Sequence, residues 1–382
     1  MITLSKEQKL AAEQVVSWYM KGASKPLKLA GYAGTGKTTL IQELKNQLPK
    51  MPIAFLAPTG KATVNMKDKL GRLRFGDMTR TIHSFLYMPI LDDDGKIVDW
   101  EIKPSIDKSN PPGLLIVDES SMVTKKLDDD LLTIGLPILY VGDHGQLPPP
   151  TKDDFNLMLR PHIRLEEVHR TALDSPIIKL SMLARRKRVI PCQQFSDIVM
   201  RIPEVKPIKD RLLCNDQDRL ILTDTNWKRV KLNRRMLATL GMNTNTPTVG
   251  TRVIFKKNNW KANIPVFNGM MGTITDIWND PPDNYFMTVD VDGEEESFEG
   301  TVSKYGFHAM KFEKPEHLKW RDIENVADFG YCCTVHSAQG SEAKKVFIFG
   351  NGTCFGKDQH RWMYTAITRA KEELYICNDN IV

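Results

Sequence analysis

The sequence predicts an α/β protein built on parallel sheets, and three observations predict it. Short, nearly unbroken apolar runs, Ile53-Ala54-Phe55-Leu56-Ala57, Leu114-Leu115-Ile116-Val117 and Ile138-Leu139-Tyr140-Val141, alternate with helical stretches through the first half. Such runs suit strands buried on both faces, as in a parallel sheet covered by helices. The pattern returns late in the chain, at Tyr331-Cys332-Cys333-Thr334-Val335, Lys345-Val346-Phe347-Ile348-Phe349 and Leu374-Tyr375-Ile376-Cys377. Between the two halves lies a stretch of different character.

Taken in order, the chain starts on an amphipathic helix, MITLSKEQKLAAEQ, which lacks the apolar centre of a secretion signal. The apolar stretch Pro26–Ala30 follows, then GYAGTGKTT and the helical run Leu40–Lys45. The later strands end in the polar or Gly/Pro-containing loops APTGK, DESSM and GDHGQLPPP. In a parallel sheet such carboxyl-end loops gather along one edge, so four loops form one site. Residues 86–113 break the rhythm and read as a hairpin turning at Asp94-Gly95. The alternative is an irregular surface loop; Trp100 and the alternation at Ile97-Val98 favour a ribbon. Leu220–Thr223 and the helix Trp227–Leu240 resume the α/β pattern. From Pro247 to Trp320 the chain is a series of β-branched segments split by Gly, Asn and Pro, which reads as a small barrel of SH3 or OB type.

A chain of 382 residues exceeds one ordinary core, so two or three domains are expected. Its hydrophobic fraction of 41% and charged fraction of 26% are those of a globular protein, and no apolar run is long enough to span a membrane. The net charge of +6 permits a polyanionic partner without requiring one. The six cysteines include no C-x-x-C pair, which fits small buried hydrophobes in a reducing cytoplasm.

Gly31–Thr39 matches the phosphate-loop pattern G-x-x-x-x-G-K-[ST]. Glycines let the backbone wrap a polyphosphate so that N–H groups point inward, and the following helix directs its positive end at the same charge. Gly34, Thr35, Gly36, Lys37, Thr38 and Thr39 are the predicted nucleotide-binding residues. Lys37 is expected at the β- and γ-phosphates, and the Thr38 hydroxyl on Mg²⁺. Asp118-Glu119 directly follows an apolar strand. Asp118 suits the hard Mg²⁺ ion, and Glu119 suits the base that orients water. Gln146, after the next strand, can touch the γ-phosphate or the attacking water.

The ordered set resembles superfamily 1 helicases, specifically the superfamily 1B RecD/Dda-like branch. Ser5-Lys6-Glu7-Gln8 resembles the Q motif, and Gly31–Thr39 motif I. Ala57–Ala62 resembles motif Ia and Thr81–Phe85 motif Ib. Asp118–Ser121 resembles motif II, Gly142–Pro149 motif III and Leu165–Arg170 motif IV. Thr334–Glu342 resembles motif V, and Tyr364–Ala370 motif VI. The resemblance implies two RecA-like domains. The first spans 1–170 and carries the hairpin 86–113 as a strand-separating pin. The second spans 171–246 and 321–382, interrupted by an SH3-like barrel at 247–320. It implies that ATP is used, with Gln8 reading adenine. Arg170, and Arg369 from the second domain, are expected to reach the γ-phosphate. Glu342 and Gln339 are expected to line the nucleotide cleft or to link it to DNA.

The same resemblance implies an ATP-dependent helicase moving 5′ to 3′ on single-stranded DNA, with duplex junctions as substrate. It implies a monomeric motor in the cytoplasm, of the host if phage-encoded, with single-strand-binding and other replication proteins as partners. Thr59, Lys61, His83, Phe85 and Trp100 are nucleic-acid candidates in the first domain, and Asn226, Asn268, His336 and Ser337 in the second. Trp260 and Phe267 suit barrel core as well as base stacking. Two readings stay open beside this one: an RNA-directed or dual helicase, and a DNA-binding subunit switched by ATP. The sequence departs from the branch at Ser337, where Lys usually follows the motif V His. The barrel insert is also short, which predicts a reduced brace between barrel and pin.

Overall fold

The computed structural model describes residues 4–48, 51–91, 97–104, 111–151, 155–168, 174–213, 218–259 and 261–377. They fall into two compact units, one of residues 1–92 and 99–185 and the other of residues 93–98 and 186–382.

The first unit runs α1 (Lys6–Met20), β1 (Leu27–Gly31), α2 (Lys37–Gln47), β2 (Ile53–Ala57), α3 (Gly60–Leu70), β3 (Met78–Thr81) and α4 (Ile82–Leu86). It continues through β4 (Tyr87–Leu91), β5 (Ile97–Ile102), β6 (Leu114–Val117), α5 (Lys125–Leu132), β7 (Ile138–Gly142), β8 (Ile163–Leu165) and α6 (Pro176–Arg185). Six strands make one sheet in the order β3-β2-β6-β7-β1-β8, with every pairing parallel. Strand alternation splits its apolar residues between two cores. Phe55, Ile116, Leu139 and Val141 pack one face with residues of α1, α2 and α3. Leu56, Val117, Ile138 and Tyr140 pack the other with residues of α4 and α5. Both faces are dry, as the unbroken apolar runs require.

Thr59, Thr81 and Thr124 each accept a backbone N–H at the start of a helix, and Ser5 and Gln8 form a reciprocal capping box. These caps satisfy donors that helix starts leave open. β4 and β5 pair as a separate two-stranded sheet. The expected turn at Asp94-Gly95 lies outside the described residues.

The second unit holds β9 (Gln194–Ser196), β10 (Val199–Ile202), α7 (Lys209–Leu213), β11 (Arg219–Thr223), α8 (Asn226–Thr239), β12 (Arg252–Phe255), β13 (Met271–Asp280), β14 (Asn284–Val291) and β15 (Phe298–Ser303). After these come β16 (Asn325–Phe329), β17 (Cys333–Thr334), β18 (Ala343–Phe349), α9 (Gln359–Ile367) and β19 (Ala370–Cys377). Its sheet is ordered β17-β11-β18-β19-β10-β9, parallel except at β10–β9. Strands β12 to β16 close a five-stranded barrel around Phe255, Val266, Met287 and Phe298.

Two boundaries differ from those the motifs suggested. The first unit continues past residue 170 through α6. The barrel continues past residue 320, because β16 pairs with both β12 and β15. An ion pair between Arg229 and Asp328, both under 4% exposed, fastens α8 to the barrel. Asp328 also accepts the His308 and Phe329 N–H groups at 2.8 Å each.

Candidate nucleotide site and nucleic-acid interface

The phosphate loop bends where glycine permits it. Gly34 and Gly36 hold φ of 80° and 75°, a region that other residues occupy at a cost. Gly31 is needed for a different reason: a Cβ there would sit 2.4 Å from Thr35 Oγ1 and 3.1 Å from Leu165 Cβ. Thr35 is buried, and its hydroxyl donates to the Tyr32 carbonyl at 2.8 Å. Lys37 donates its ammonium to the carbonyls of Gly31 and Tyr32 at 2.7 and 3.1 Å. Thr38 and Thr39 follow on the first turn of α2, half-buried.

Gln8 also reaches this loop. Its amide donates to the Thr35 and Gly36 carbonyls at 3.3 and 3.2 Å, while its oxygen accepts the Ser5 N–H at 2.9 Å. The side chain is 1% exposed. It therefore works as a strut under the loop, a role the Q-motif resemblance did not supply. The S-x-x-Q capping pattern was its visible sign.

The other expected residues stand on the same sheet edge. Asp118 directly follows β6, its N–H bonded to Leu56 O at 2.8 Å, and its Oδ1 accepts the Glu119 N–H at 2.8 Å. Burial pushes the Asp118 carboxyl above the usual carboxylate range; the Glu119 N–H and the ammonium groups of Lys37 and Lys69 pull it back down. Glu119 holds a left-handed φ of 50°, which fixes the direction of the chain at the strand end. Gln146 is nearly buried, in a turn where Asp143 accepts its N–H at 3.1 Å and that of Gly145 at 2.8 Å.

The loop donors, an ammonium, a hydroxyl-bearing helix turn and one carboxylate fit a Mg-bound polyphosphate, which itself supplies most of the metal's oxygens. No cluster of three side chains that could ligate a metal occurs among the described residues.

One cluster was not foreseen. The Arg185 guanidinium lies 3.8 Å from the Tyr32 ring centre, and the His144 ring 4.2 Å from it. Tyr32 belongs to the phosphate loop and His144 to the motif III turn.

Arg170 lies outside the described residues. Arg369 is buried, its guanidinium donating to the carbonyls of Thr365 at 3.0 Å and Ser341 at 3.2 Å and to the Thr368 hydroxyl at 3.2 Å. Glu342 is exposed, 3.6 Å from Lys371 Nζ.

Among the nucleic-acid candidates, Thr59 caps α3, Lys61 lies in its first turn, and His83 is exposed 5.5 Å from the Tyr87 ring. Phe85 corrects the expectation. It is 2% exposed and packs with Ile82 and Leu86 in the core, so it offers no stacking face. Trp100 on β5 is 49% exposed. In the second unit, Asn226 opens α8 and Ser337 follows β17, strands β11 and β17 being paired at Thr223 and Thr334. The barrel loop Asn268-Gly269 approaches the same place: a Cβ on Gly269 would lie 3.6 Å from Ser337 O. Asn268 and Ser337 are exposed, and His336 packs against Phe355 at 5.4 Å. Phe267 is half-buried against the barrel core, and Trp260 lies outside the described residues. No helix among the described residues is long and apolar enough to cross a membrane.

Comparison with known proteins agrees with this geometry. A family model for an AAA domain matches residues 3–196, half of the chain, and one for the UvrD-like helicase C-terminal domain matches 329–377. The ATP-dependent RecD2 DNA helicase of Deinococcus radiodurans is 25% identical over 399 residues, covering 97% of this chain and 48% of that protein. The ATP-dependent DNA helicase Pif1 of Bdellovibrio bacteriovorus is 28% identical over 162 residues, 38% of this chain and 34% of that one. The chain spans about half the length of the first of these relatives and less of the second. A Bacteroides Pif1 helicase, solved with ADP-AlF3 and single-stranded DNA, shares the fold at a TM-score of 0.57 and 17% identity, covering 100% of this chain and 94% of that one. With the phosphate loop, the Asp118-Glu119 pair and the motif III turn on one sheet edge, the chain belongs to the superfamily 1B RecD/Pif1-like helicases.

Proposed function

We propose that the chain is a DNA-stimulated ATPase that moves 5′ to 3′ along single-stranded DNA and unwinds duplex. The observation that carries the reading is the convergence of Lys37, Asp118, Glu119 and Gln146 on one edge of a single parallel sheet. Relatives named as ATP-dependent DNA helicases support it.

In this reading the loop N–H groups and Lys37 hold the β- and γ-phosphates, while Gln8 keeps the loop in shape. Thr38 and Asp118 would hold Mg²⁺, which neutralises charge on the transferring phosphoryl group. Glu119 takes a proton from the attacking water, and Gln146 orients that water. Arg170 and Arg369 keep the roles that the resemblance gives them, as cations for the γ-phosphoryl group. Asn226, Asn268 and Ser337 form the strand-binding face of the second unit, with Thr59, Lys61 and His83 serving the first. Such contacts go mainly to phosphate, which predicts weak sequence preference and strong salt dependence.

The deciding experiment unwinds partial duplexes carrying either a 5′ or a 3′ single-stranded tail. Unwinding from 5′ tails alone is expected; unwinding from 3′ tails alone would overturn the polarity. Stimulation of ATP hydrolysis by single-stranded RNA equal to that by DNA would favour a dual helicase. Hydrolysis without movement would favour an ATP-switched binding subunit.

A further inference from the structure

The second unit contains a cavity of about 590 Å³ that none of the helicase motifs touches. It lies between the 206–213 segment and α8, over β11 and β18. Its floor is apolar and buried: Ile221, Leu232, Met236 and Phe349. Its lining also includes Lys206, Lys209 and Arg235, all exposed, and one carboxylate, Glu204. Lys206 and Lys209 stand three residues apart along consecutive helical turns, so they share a side, and Arg235 comes from α8. None of the three makes an ion pair among the described residues.

We propose that this cavity docks a short acidic segment of a partner protein. One large aliphatic or aromatic side chain of that segment rests on the Ile221–Phe349 floor, and its carboxylates meet Lys206, Lys209 and Arg235. The volume lies within the range of ligand pockets, and the apolar floor gives the affinity while the cations select the sign of charge. A nucleic-acid backbone matches the cations but leaves the buried floor uncovered, so a protein segment is the better complement. This docking goes beyond the motor reading and uses none of its residues.

The test is a fluorescence-anisotropy titration of the full chain with a labelled peptide that alternates Asp with Leu and ends in Phe. Saturable binding is expected. It should weaken by about tenfold in a Lys206→Glu, Lys209→Glu variant, the scale of a few surface charge contacts. A control peptide with Ser for Leu and Phe should not bind, and ATP hydrolysis by the variant should match that of the parent chain. Absence of saturable binding, equal binding of the Ser control, or binding of decanoate but not of the peptide would each overturn the proposal. Unweakened binding by the variant would overturn it too, whereas absence of ATP hydrolysis in the parent chain with the peptide still bound would count against the motor reading alone.

Discussion

Gln8 donates its side-chain amide to the Gly36 carbonyl at 3.2 Å, tying the start of α1 to the turn that begins α2. The loop that must bend around phosphate is thus held from below by a residue distant in sequence. If Gln8 acts mainly as this strut, Gln8→Ala should weaken ATP and GTP binding by the same factor, about three- to tenfold. It should also cost about 1 kcal/mol of stability through the lost cap. If it reads adenine, ATP binding should fall much more than GTP binding. Titrating both nucleotides against the variant separates the two.

Glu119→Gln keeps the size of the side chain and removes the base. ATP hydrolysis should fall by about 10²- to 10⁴-fold while nucleotide affinity changes little. Lys37→Ala should lose both. Steady-state hydrolysis alongside equilibrium binding checks the pair, and full turnover in Glu119→Gln would remove the assigned base.

Gly31→Ala places a methyl group 2.4 Å from Thr35 Oγ1. Thr35 then moves and its bond to the Tyr32 carbonyl breaks, at an overpacking cost of about 1–3 kcal/mol. Thermal melting should show the loss, and ATP affinity should drop with it. Adding Thr35→Ala should recover part of the stability by relieving the contact, but not the affinity.

Arg229 and Asp328 form a buried pair, so removing one partner strands the other. Arg229→Ala should destabilise the second unit by about 3–5 kcal/mol. Arg229→Met combined with Asp328→Leu should recover most of it. Chemical denaturation of the parent, the single variants Arg229→Met and Asp328→Leu, and their double would show the non-additivity directly.

Trp100 is half-exposed on β5 of the two-stranded sheet. If the hairpin parts duplex, Trp100→Ala should slow unwinding several-fold with DNA-stimulated ATP hydrolysis intact, and shortening residues 89–103 should abolish unwinding alone. Equal loss of both activities would assign the segment a structural role.

Much of this was legible where the information is local. Unbroken apolar runs announced strands buried on both sides, and the glycine spacing announced the phosphate loop. Phe85 was misread because the motif outweighed the helical pattern. Ile82, Phe85 and Leu86 stand at i, i+3 and i+4, the spacing of one buried helix face. The fifth barrel strand was missed for the opposite reason. Its partners β12 and β15 lie far away or across an irregular stretch, and no local pattern encodes such a pairing. The approach of Arg185 to Tyr32 is likewise a tertiary fact, since a guanidinium after an apolar helix reads as solvent-facing.

The pairing of β12 with β16 has an architectural consequence. Val253 faces Phe329 and Phe255 faces Ala327, so the chain enters and leaves the barrel through one doorway, a single strand spacing of about 5 Å wide. An insertion whose two ends are already neighbours imposes no strain on its host, whatever its size. The barrel is therefore an exchangeable cassette: the far end of the β13–β14 ribbon can be lengthened, trimmed or replaced without moving the sheet that carries Arg369. A change in the length of that ribbon has a ready place to happen, beyond a doorway whose width the host sheet already fixes.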